Sequence, residues 1–331
     1  MVGMRDVAKK AGVSLSTVSL VVNGNGYVSN DMRDRVRKAM QALNYVPNEL
    51  ARNLYHDRTN LVGVIVPTIR HPFFATFTAH LQHALAAQGL RTMLCSTTDE
   101  TDGEIQYVDM LRRHMMDGIV MCAHTSHPGD YWTSIHRPIV AFDRVLGNGI
   151  SSIGSDHEQG GRLIAQMLIR NGARHVVMIG GPRDQFFDLA VRGEVEEGSF
   201  DLGKTTFPTV RYYLMLEQEL TSAGVKYEYI EAGEVMDFAG YHRAVSRALD
   251  GVATDGVDAV VSSDIGAAFC VREALSRGIS IPDELQVVAY DGTYLTDLAG
   301  MKLTAVAQDF SAIAQSAADH MVQAIANEEA V

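Results

Sequence analysis

Asp6-Val7-Ala8-Lys9-Lys10-Ala11-Gly12-Val13-Ser14-Leu15-Ser16-Thr17-Val18-Ser19-Leu20-Val21-Val22-Asn23-Gly24 is the stretch from which the rest of the chain is read. Val7, Ala8 and Ala11 share one face of a helix that Gly12 ends. Ser14 caps a second helix, from about Leu15 to Val22, with Val18 and Val21 inward. The two are joined by the short turn Ala11-Gly12-Val13-Ser14, the form of a helix-turn-helix, although any small helical domain can be written the same way. Outward from this core, Asn23-Gly24-Asn25-Gly26 makes a turn cluster. Ser29 then caps a third helix, with Asp31 in its first turn, where the helix dipole favours an acid. Met32, Val36, Met40 and Leu43 form its apolar stripe.

Pro47 breaks the pattern. The following segment, Asn48 to Leu54, predicts a helix of about two turns, too short to be stable alone in water. From Leu61 onward short apolar strands alternate with helical segments. The strands are Leu61–Val66, Arg91–Cys95, Gly118–Met121, Ile139–Phe142, His175–Ile179, Lys226–Ile230, Ala259–Ser262, Gln286–Tyr290 and Leu303–Val306. Helical patterns such as Ala75–Gln88, Gly160–Asn171 and Gly266–Arg277 lie between them. This alternation predicts an α/β fold with helices on both faces of parallel sheets, and so many strands suit two sheets better than one. Ligands of such folds bind at the carboxyl ends of the strands. The segment Asp184–Pro208 has four acidic residues between Glu194 and Asp201, scattered glycines, and Phe186, Phe187, Leu189, Phe200 and Phe207 as its large apolar residues. It is expected to be a mobile flap over a ligand cleft, with a surface insertion as the alternative.

Composition excludes several classes. The 331 residues are 47% hydrophobic and 21% charged, ordinary globular usage. No apolar run reaches the ~18–20 residues of a membrane span. Nor does the N-terminus carry the apolar core of an export signal, which points to the cytoplasm. Cys95, Cys122 and Cys270 are far apart, without a metal or disulfide pattern. There is no dinucleotide fingerprint after a strand, no phosphate-binding loop, no GxSxG and no HExxH, so no enzyme, cofactor or metal is expected. His124 with His127, and His80 with His83, read as loop and surface histidines. The net charge of −12 is unevenly spread: residues 1–60 hold nine Lys and Arg against five Asp and Glu, a net +4, and the remainder carries −16. A basic head on an acidic body suggests that only the head meets a polyanion.

The quoted N-terminal stretch resembles the head of the lactose-repressor (LacI/GalR) family of bacterial transcription regulators. So do Val28-Ser29, the run Arg33–Ala39, Leu43-Asn44-Tyr45-Val46-Pro47-Asn48 and Ala51-Arg52-Asn53-Leu54. In the remainder, Val62-Gly63-Val64-Ile65-Val66-Pro67, His71-Pro72-Phe73-Phe74, Phe142-Asp143-Arg144, Ser263-Asp264, Gly278-Ile279-Ser280-Ile281-Pro282, Ala289-Tyr290-Asp291-Gly292-Thr293 and Leu303-Thr304-Ala305-Val306-Ala307-Gln308 fall in the family's order. The resemblance implies a helix-turn-helix head over residues 1–46 and a hinge helix with its linker over 47–60. It also implies an effector-binding and dimerisation body over 61–331, similar to periplasmic sugar-binding proteins. The body divides into two interleaved subdomains, about 61–157 with 292–326, and about 158–291.

The same resemblance implies site residues. Leu15, Ser16 and Leu20 take base-reading positions; Ser14, Thr17, Ser19, Asn23 and Tyr45 take phosphate-contacting ones. Leu15 and Leu20 offer apolar contact only, best against a thymine methyl. Leu54 is the minor-groove wedge of the hinge, with Asn48, Ala51 and Arg52 beside it. For the effector, a polyol wants carboxylates, an Arg, amides and an apolar ring face. Asp143, Arg211, Ser263, Asp264 and Asp291 lie at or near strand ends, with Phe73 or Phe74 to cover the ring. The implied protein is a homodimer on a pseudo-palindromic double-stranded operator, controlled by a small ligand such as a sugar, with no membrane contact. Two departures stand out. Leu20 replaces a frequent Arg of the recognition helix, and the family's Arg-x-x-Gly-Phe element survives only as Arg211-Tyr212-Tyr213-Leu214-Met215. The rival reading is a sugar-binding transport component with no DNA role; the basic head argues against it.

Overall fold

A computed structural model of the chain describes residues 2–24, 26–47, 58–97, 103–123, 127, 130–188, 205–235 and 237–328. It divides into two compact units, Met1–Thr59 and Asn60–Val331.

The first unit is built from three helices: α1 (Met4–Ala11), α2 (Leu15–Asn23) and α3 (Asn30–Ala42). Gly12 ends α1 with φ 64°, the left-handed conformation that glycine adopts without strain. Ser14 caps α2, its Oγ accepting the Thr17 N–H at 3.0 Å, and Ser29 caps α3 by accepting the Met32 N–H at 3.4 Å. Val7, Ala8, Ala11, Val18, Val36 and Ala39 form the core, with Val21, Met40, Leu43 and Tyr45 packed against it. Met32, placed by the sequence in the apolar stripe of α3, is 43% exposed. Arg35 braces the turn. Its Nε and Nη2 donate to Ala11 O at 3.1 and 2.7 Å, and Nη2 also reaches Gly12 O at 2.8 Å. A cation here satisfies the orphan carbonyls at the end of α1 and opposes the negative end of its dipole.

The second unit has two lobes, each a five-stranded parallel sheet. In the first, β1 (Leu61–Val66), β2 (Arg91–Ser96), β3 (Gly118–Met121), β4 (Ile139–Phe142) and β5 (Ser151–Ile153) lie in the order β2-β1-β3-β4-β5. Alternation along β1 divides its side chains between two cores. Val62, Val64 and Val66 join α4 (Pro72–Ala87) and the last helix, and Ile65 packs with α5 (Gly103–Arg112) on the other face. In the second lobe β6 (His175–Gly180), β7 (Lys226–Glu231), β8 (Ala259–Ser263), β9 (Gln286–Asp291) and β10 (Thr304–Ala307) are ordered β10-β9-β8-β6-β7. Val177 and Ile179 pack under α8 (Phe238–Thr254) and α9 (Asp264–Arg277). Val176 and Met178 pack under α6 (His157–Arg170) and α7 (Arg211–Ser222). The short α10 (Leu295–Leu298) follows β9, and α11 (Phe310–Glu328) returns to the first lobe.

Three expectations need correction. Strand β5 was not foreseen, because Ser151-Ser152-Ile153 is too short and polar to show alternation; it exists as an edge partner of β4. Residues 292–307 were placed with the first subdomain, but β10 pairs with β9 from Thr304↔Val288 to Ala307↔Asp291, so the chain returns to the first lobe only after Ala307. Third, the described ends of the Asp184–Pro208 segment are packed. Arg183–Phe187 forms a 3-10 turn with Phe186 1% exposed, and Phe207 is 7% exposed. Residues 189–204 lie outside the described residues.

Candidate ligand cavity and nucleic-acid interface

The open face of the first unit comes from α2. Leu15 and Leu20 are 43% and 38% exposed, unusual for leucines in a unit this short of core. Ser14 and Ser16 are exposed beside them, Thr17, Ser19 and Asn23 are half-buried, and Tyr45 packs partly into the core. Ser14 Oγ lies 2.7 Å from Ser16 Oγ and 2.8 Å from Thr17 Oγ1, so three hydroxyls cluster at the positive end of α2. Asn23 Nδ2 donates to Ser19 Oγ at 3.2 Å. Asn48, Ala51, Arg52 and Leu54 lie outside the described residues.

The second unit holds a cavity of about 850 Å³, counted out to its open mouth. It is lined by residues just past the carboxyl ends of strands from both lobes, where this topology places ligands. From the first lobe come His71, Phe73 and Phe74 after β1, Cys122 after β3, and Phe142, Asp143 and Arg144 at the end of β4. From the second come Gly181 after β6, Glu234 after β7, Ser263 at the end of β8, Tyr290 and Asp291 at the end of β9, and Gln308 after β10. The N-terminal part of α7 adds Tyr212 and Tyr213.

Two aromatic walls face this space. Phe73 stacks on Phe142 with centroids 5.7 Å apart, and Tyr212 stacks on Tyr290 at 3.8 Å and 4°. The phenols are largely spoken for: Tyr213 donates to Ile179 O at 2.7 Å and Tyr229 to Gly181 O at 2.8 Å. Burial, with Asp291 nearby, pushes the Tyr290 phenol up, so it keeps its proton. It therefore donates to His157 Nδ1 at 2.7 Å, and His157 donates from Nε2 to Asp143 Oδ1 at 2.8 Å. A parallel chain runs through the two crossings between lobes. Ser155 Oγ donates to Gln308 Oε1 at 2.7 Å, and Gln308 Nε2 donates to Asp291 Oδ1 at 2.8 Å. Burial, then the neighbouring Asp264, raises the Asp291 carboxyl well above the usual range. Asp291 also sits at φ 127°, a conformation few side chains adopt.

Of the seven residues expected to hold a ligand, Phe73, Phe74, Asp143, Ser263 and Asp291 line the cavity. Asp264 and Arg211 are not among the lining residues. Asp264 is 1% exposed and accepts from Gly292 N, Thr293 N and Thr293 Oγ1 at 3.2, 2.6 and 2.6 Å, so it shapes the turn that follows Asp291. Arg211 opens α7; Val210 and Tyr212 on either side line the cavity instead, and Arg211 Nε is buried without a partner. Sequence reading missed Arg144, Tyr212, Tyr290 and Gln308 as lining residues, although three of them stand inside the matched motifs. His127, read as a loop histidine, bonds Glu104 Oε1 at 2.5 Å and stacks on Tyr131 at 3.8 Å. His124 lies outside the described residues.

Family models match in register with these units. The model of bacterial regulatory proteins of the lacI family covers residues 3–48. That of periplasmic binding proteins and the sugar-binding domain of the LacI family covers 59–218, and a periplasmic binding protein-like domain covers 165–331. The chain is 31% identical to the sucrose operon repressor of Streptococcus mutans, over 98% of this chain and 93% of that one. It is 33% identical to the ribose operon repressor of Bacillus subtilis, over 88% and 82%. Among solved structures, the lac repressor dimer bound to operator and the anti-inducer ONPF has TM-score 0.79 at 21% identity, covering 99% of this chain and 93% of that chain. The transcriptional regulator CelR in complex with cellobiose has TM-score 0.63 at 24% identity, covering 99% and 94%. These two share the fold. The match of head and body together, with relatives of this identity along nearly the whole length, identifies the chain as a DNA-binding transcriptional regulator that belongs to the LacI family of bacterial regulatory proteins.

Proposed function

We propose that the chain is a cytoplasmic repressor that binds a pseudo-palindromic operator as a homodimer and is controlled by a sugar held in the cavity between its lobes. The observation that carries the ligand half is the cavity's construction: carboxyl groups and aromatic walls from both lobes converge beside the two crossings. A ligand bridging Asp143 and Asp291 interacts unequally with different lobe arrangements, and that inequality is what lets it shift an equilibrium. The relatives named for sucrose and ribose operons support a sugar as the ligand class. For the DNA half, Leu15, Ser16 and Leu20 are the base-reading residues, with Ser14, Thr17, Ser19, Asn23 and Tyr45 on phosphates. Asn48, Ala51, Arg52 and Leu54 act in the minor groove. Among the described residues no helix is long and apolar enough to cross a membrane. No reaction is assigned to the cavity.

The test is a gel shift of the full chain on the DNA upstream of its own gene, with and without sucrose, ribose and cellobiose. Sequence-specific retardation that one sugar alters is the expected result. Retardation that random DNA competes away equally would overturn the repressor reading.

A further inference from the structure

We propose that the cavity selects an uncharged, polyhydroxylated ligand and turns away the phosphorylated or carboxylated form of the same sugar; this rests on the sugar reading above. Three carboxyl residues face the space: Asp143 from the first lobe, Asp291 and Glu234 from the second. Asp143 gives one oxygen to His157 and Asp291 gives one to Gln308, leaving the other oxygen of each outside that network.

No cation among the described lining residues is free to answer them. Arg144 is 4% exposed and already committed. Its Nε donates to Ala123 O at 3.0 Å, its Nη2 to Cys122 O at 3.5 Å and its Nη1 to Asp143 O, while the Phe207 ring covers its face at 4.7 Å. His71 accepts the Phe73 N–H through Nδ1, and burial holds its pKa down at about 4, so it stays neutral. Close by, Arg183 is held in a two-pronged pair with Glu217 at 2.6 and 2.9 Å. Arg211, the cation expected to hold an anionic group, is not among the lining residues.

A phosphate ester entering this site loses its water and meets the carboxyl groups of Asp143 and Glu234 with no partner cation, the costly case for a buried ion. A hydroxyl meets the opposite situation. It can donate to the carboxyl oxygens and bond Ser263 Oγ, which lines the cavity at the end of β8. The Phe73–Phe142 and Tyr212–Tyr290 walls offer apolar ring surface to the C–H faces of a sugar.

The experiment is thermal unfolding of the full chain with paired probes at millimolar concentration: sucrose and sucrose 6-phosphate, ribose and ribose 5-phosphate, cellobiose and its 6-phosphate, and inorganic phosphate alone. The expected result is that a neutral member raises the melting temperature and its ester binds roughly a hundredfold more weakly, as one extra unit of like charge at ~6 Å and an effective dielectric near 20 would produce. Glu234→Gln, at an exposed position, and Asp143→Asn should each narrow that ratio. An ester that binds as well as its parent overturns the proposal and leaves the sugar reading standing. Ester binding lost in Arg211→Ala would restore the cationic role to that residue. An unchanged ratio in both carboxyl variants also overturns it, because the discrimination would have another source. If no neutral sugar raises the melting temperature, the sugar reading and the proposal fall together.

Discussion

Replacing Gly161 by alanine sets two effects of opposite sign against each other. Gly161 lies inside α6, where alanine is the better helix former by about 1 kcal/mol, so propensity alone predicts a more stable protein. The contact with α7 says otherwise. A Cβ on Gly161 would stand 2.4 Å from the backbone oxygen of Tyr212 and 2.9 Å from Met215 Cβ. Neither is the loose end of a side chain. The oxygen belongs to the second residue of α7, and moving it means moving that helix, which carries the Tyr212 and Tyr213 rings of the cavity. Overpacking of this kind costs about 1–3 kcal/mol, and a backbone atom at 2.4 Å puts this case in the upper part, about 2–3 kcal/mol, so the net loss should be about 1–2 kcal/mol after the propensity gain. For a body of this size that lowers the melting temperature by roughly 2–8 °C. Thermal unfolding of the full chain reads it, and sugar-induced stabilisation read in the same scans should shrink because the aromatic wall shifts. Adding Met215→Ala should recover none of the loss, since alanine keeps the Cβ that is in contact and the carbonyl contact remains. A Gly161→Ala chain as stable as the parent, or more so, would refute the close-approach reasoning.

Three further outcomes are expected. Arg35→Ala removes the brace on Ala11 O and Gly12 O, should destabilise the head by about 1–2 kcal/mol, and should weaken operator retardation while leaving sugar-induced thermal shifts intact; hydrogen exchange across residues 4–24 that matches the parent would exclude it. Burial holds His71 at about 4 in the folded chain against 6.5 unfolded, so the unfolded state binds the extra proton between those values. Stability should therefore be full above pH ~6.5 and fall by about 3 kcal/mol on acidification toward pH ~4; urea unfolding should show this slope flattened in His71→Asn, whose amide oxygen can still cap α4, and a slope unaffected by the substitution would remove His71 as its cause. Asp291 is raised by burial, so the folded state holds its proton above the unfolded value near 4, and stability is lost as pH rises through that window. Asp291→Asn should accordingly raise the melting temperature of the unliganded chain at neutral pH and abolish the sugar response; a variant less stable than the parent that still responds to sugar would contradict both halves.

How much of this was legible depends on how local the signal is. Helix starts at Ser14 and Ser29, the stop at Gly12, and the apolar runs of β1, β6, β8 and β9 are written in adjacent residues, and the structure has them where the pattern put them. The partner of a parallel strand is not local. Nothing in Leu303–Ala307 says which sheet it joins, and the boundary of the second lobe was misplaced for that reason. The cavity splits the same way. Asp143 and Asp291 were found because a strand end is a readable place. The tyrosine wall was not, because Tyr212 on a helix and Tyr290 on a strand stack only after the sheet brings α7 over β9. Arg211 misled for the converse reason: a residue of the right type at the right place in a motif gives no information about which way the first turn of α7 points.

The hydrogen bonds at the crossings give the proposed coupling of ligand to lobe orientation a physical route. Asp143 belongs to the first lobe, while His157 begins α6 in the second, just past the outgoing crossing. Tyr290, at the end of β9, completes the link while its ring forms part of the cavity wall. Gln308 on the returning crossing holds Asp291 and Ser155 together in the same fashion. The two aspartates that would bond a ligand hydroxyl, Asp143 and Asp291, are thus already bonded to residues at a crossing. A ligand competing for Asp143 or Asp291 alters hydrogen bonds that set how the lobes meet, and in this low-dielectric setting each such bond weighs more than it would in water. Removing the His157 ring breaks both of its bonds at once, and because His157, unlike Gln308, is not among the lining residues, its loss should cost more coupling than ligand affinity.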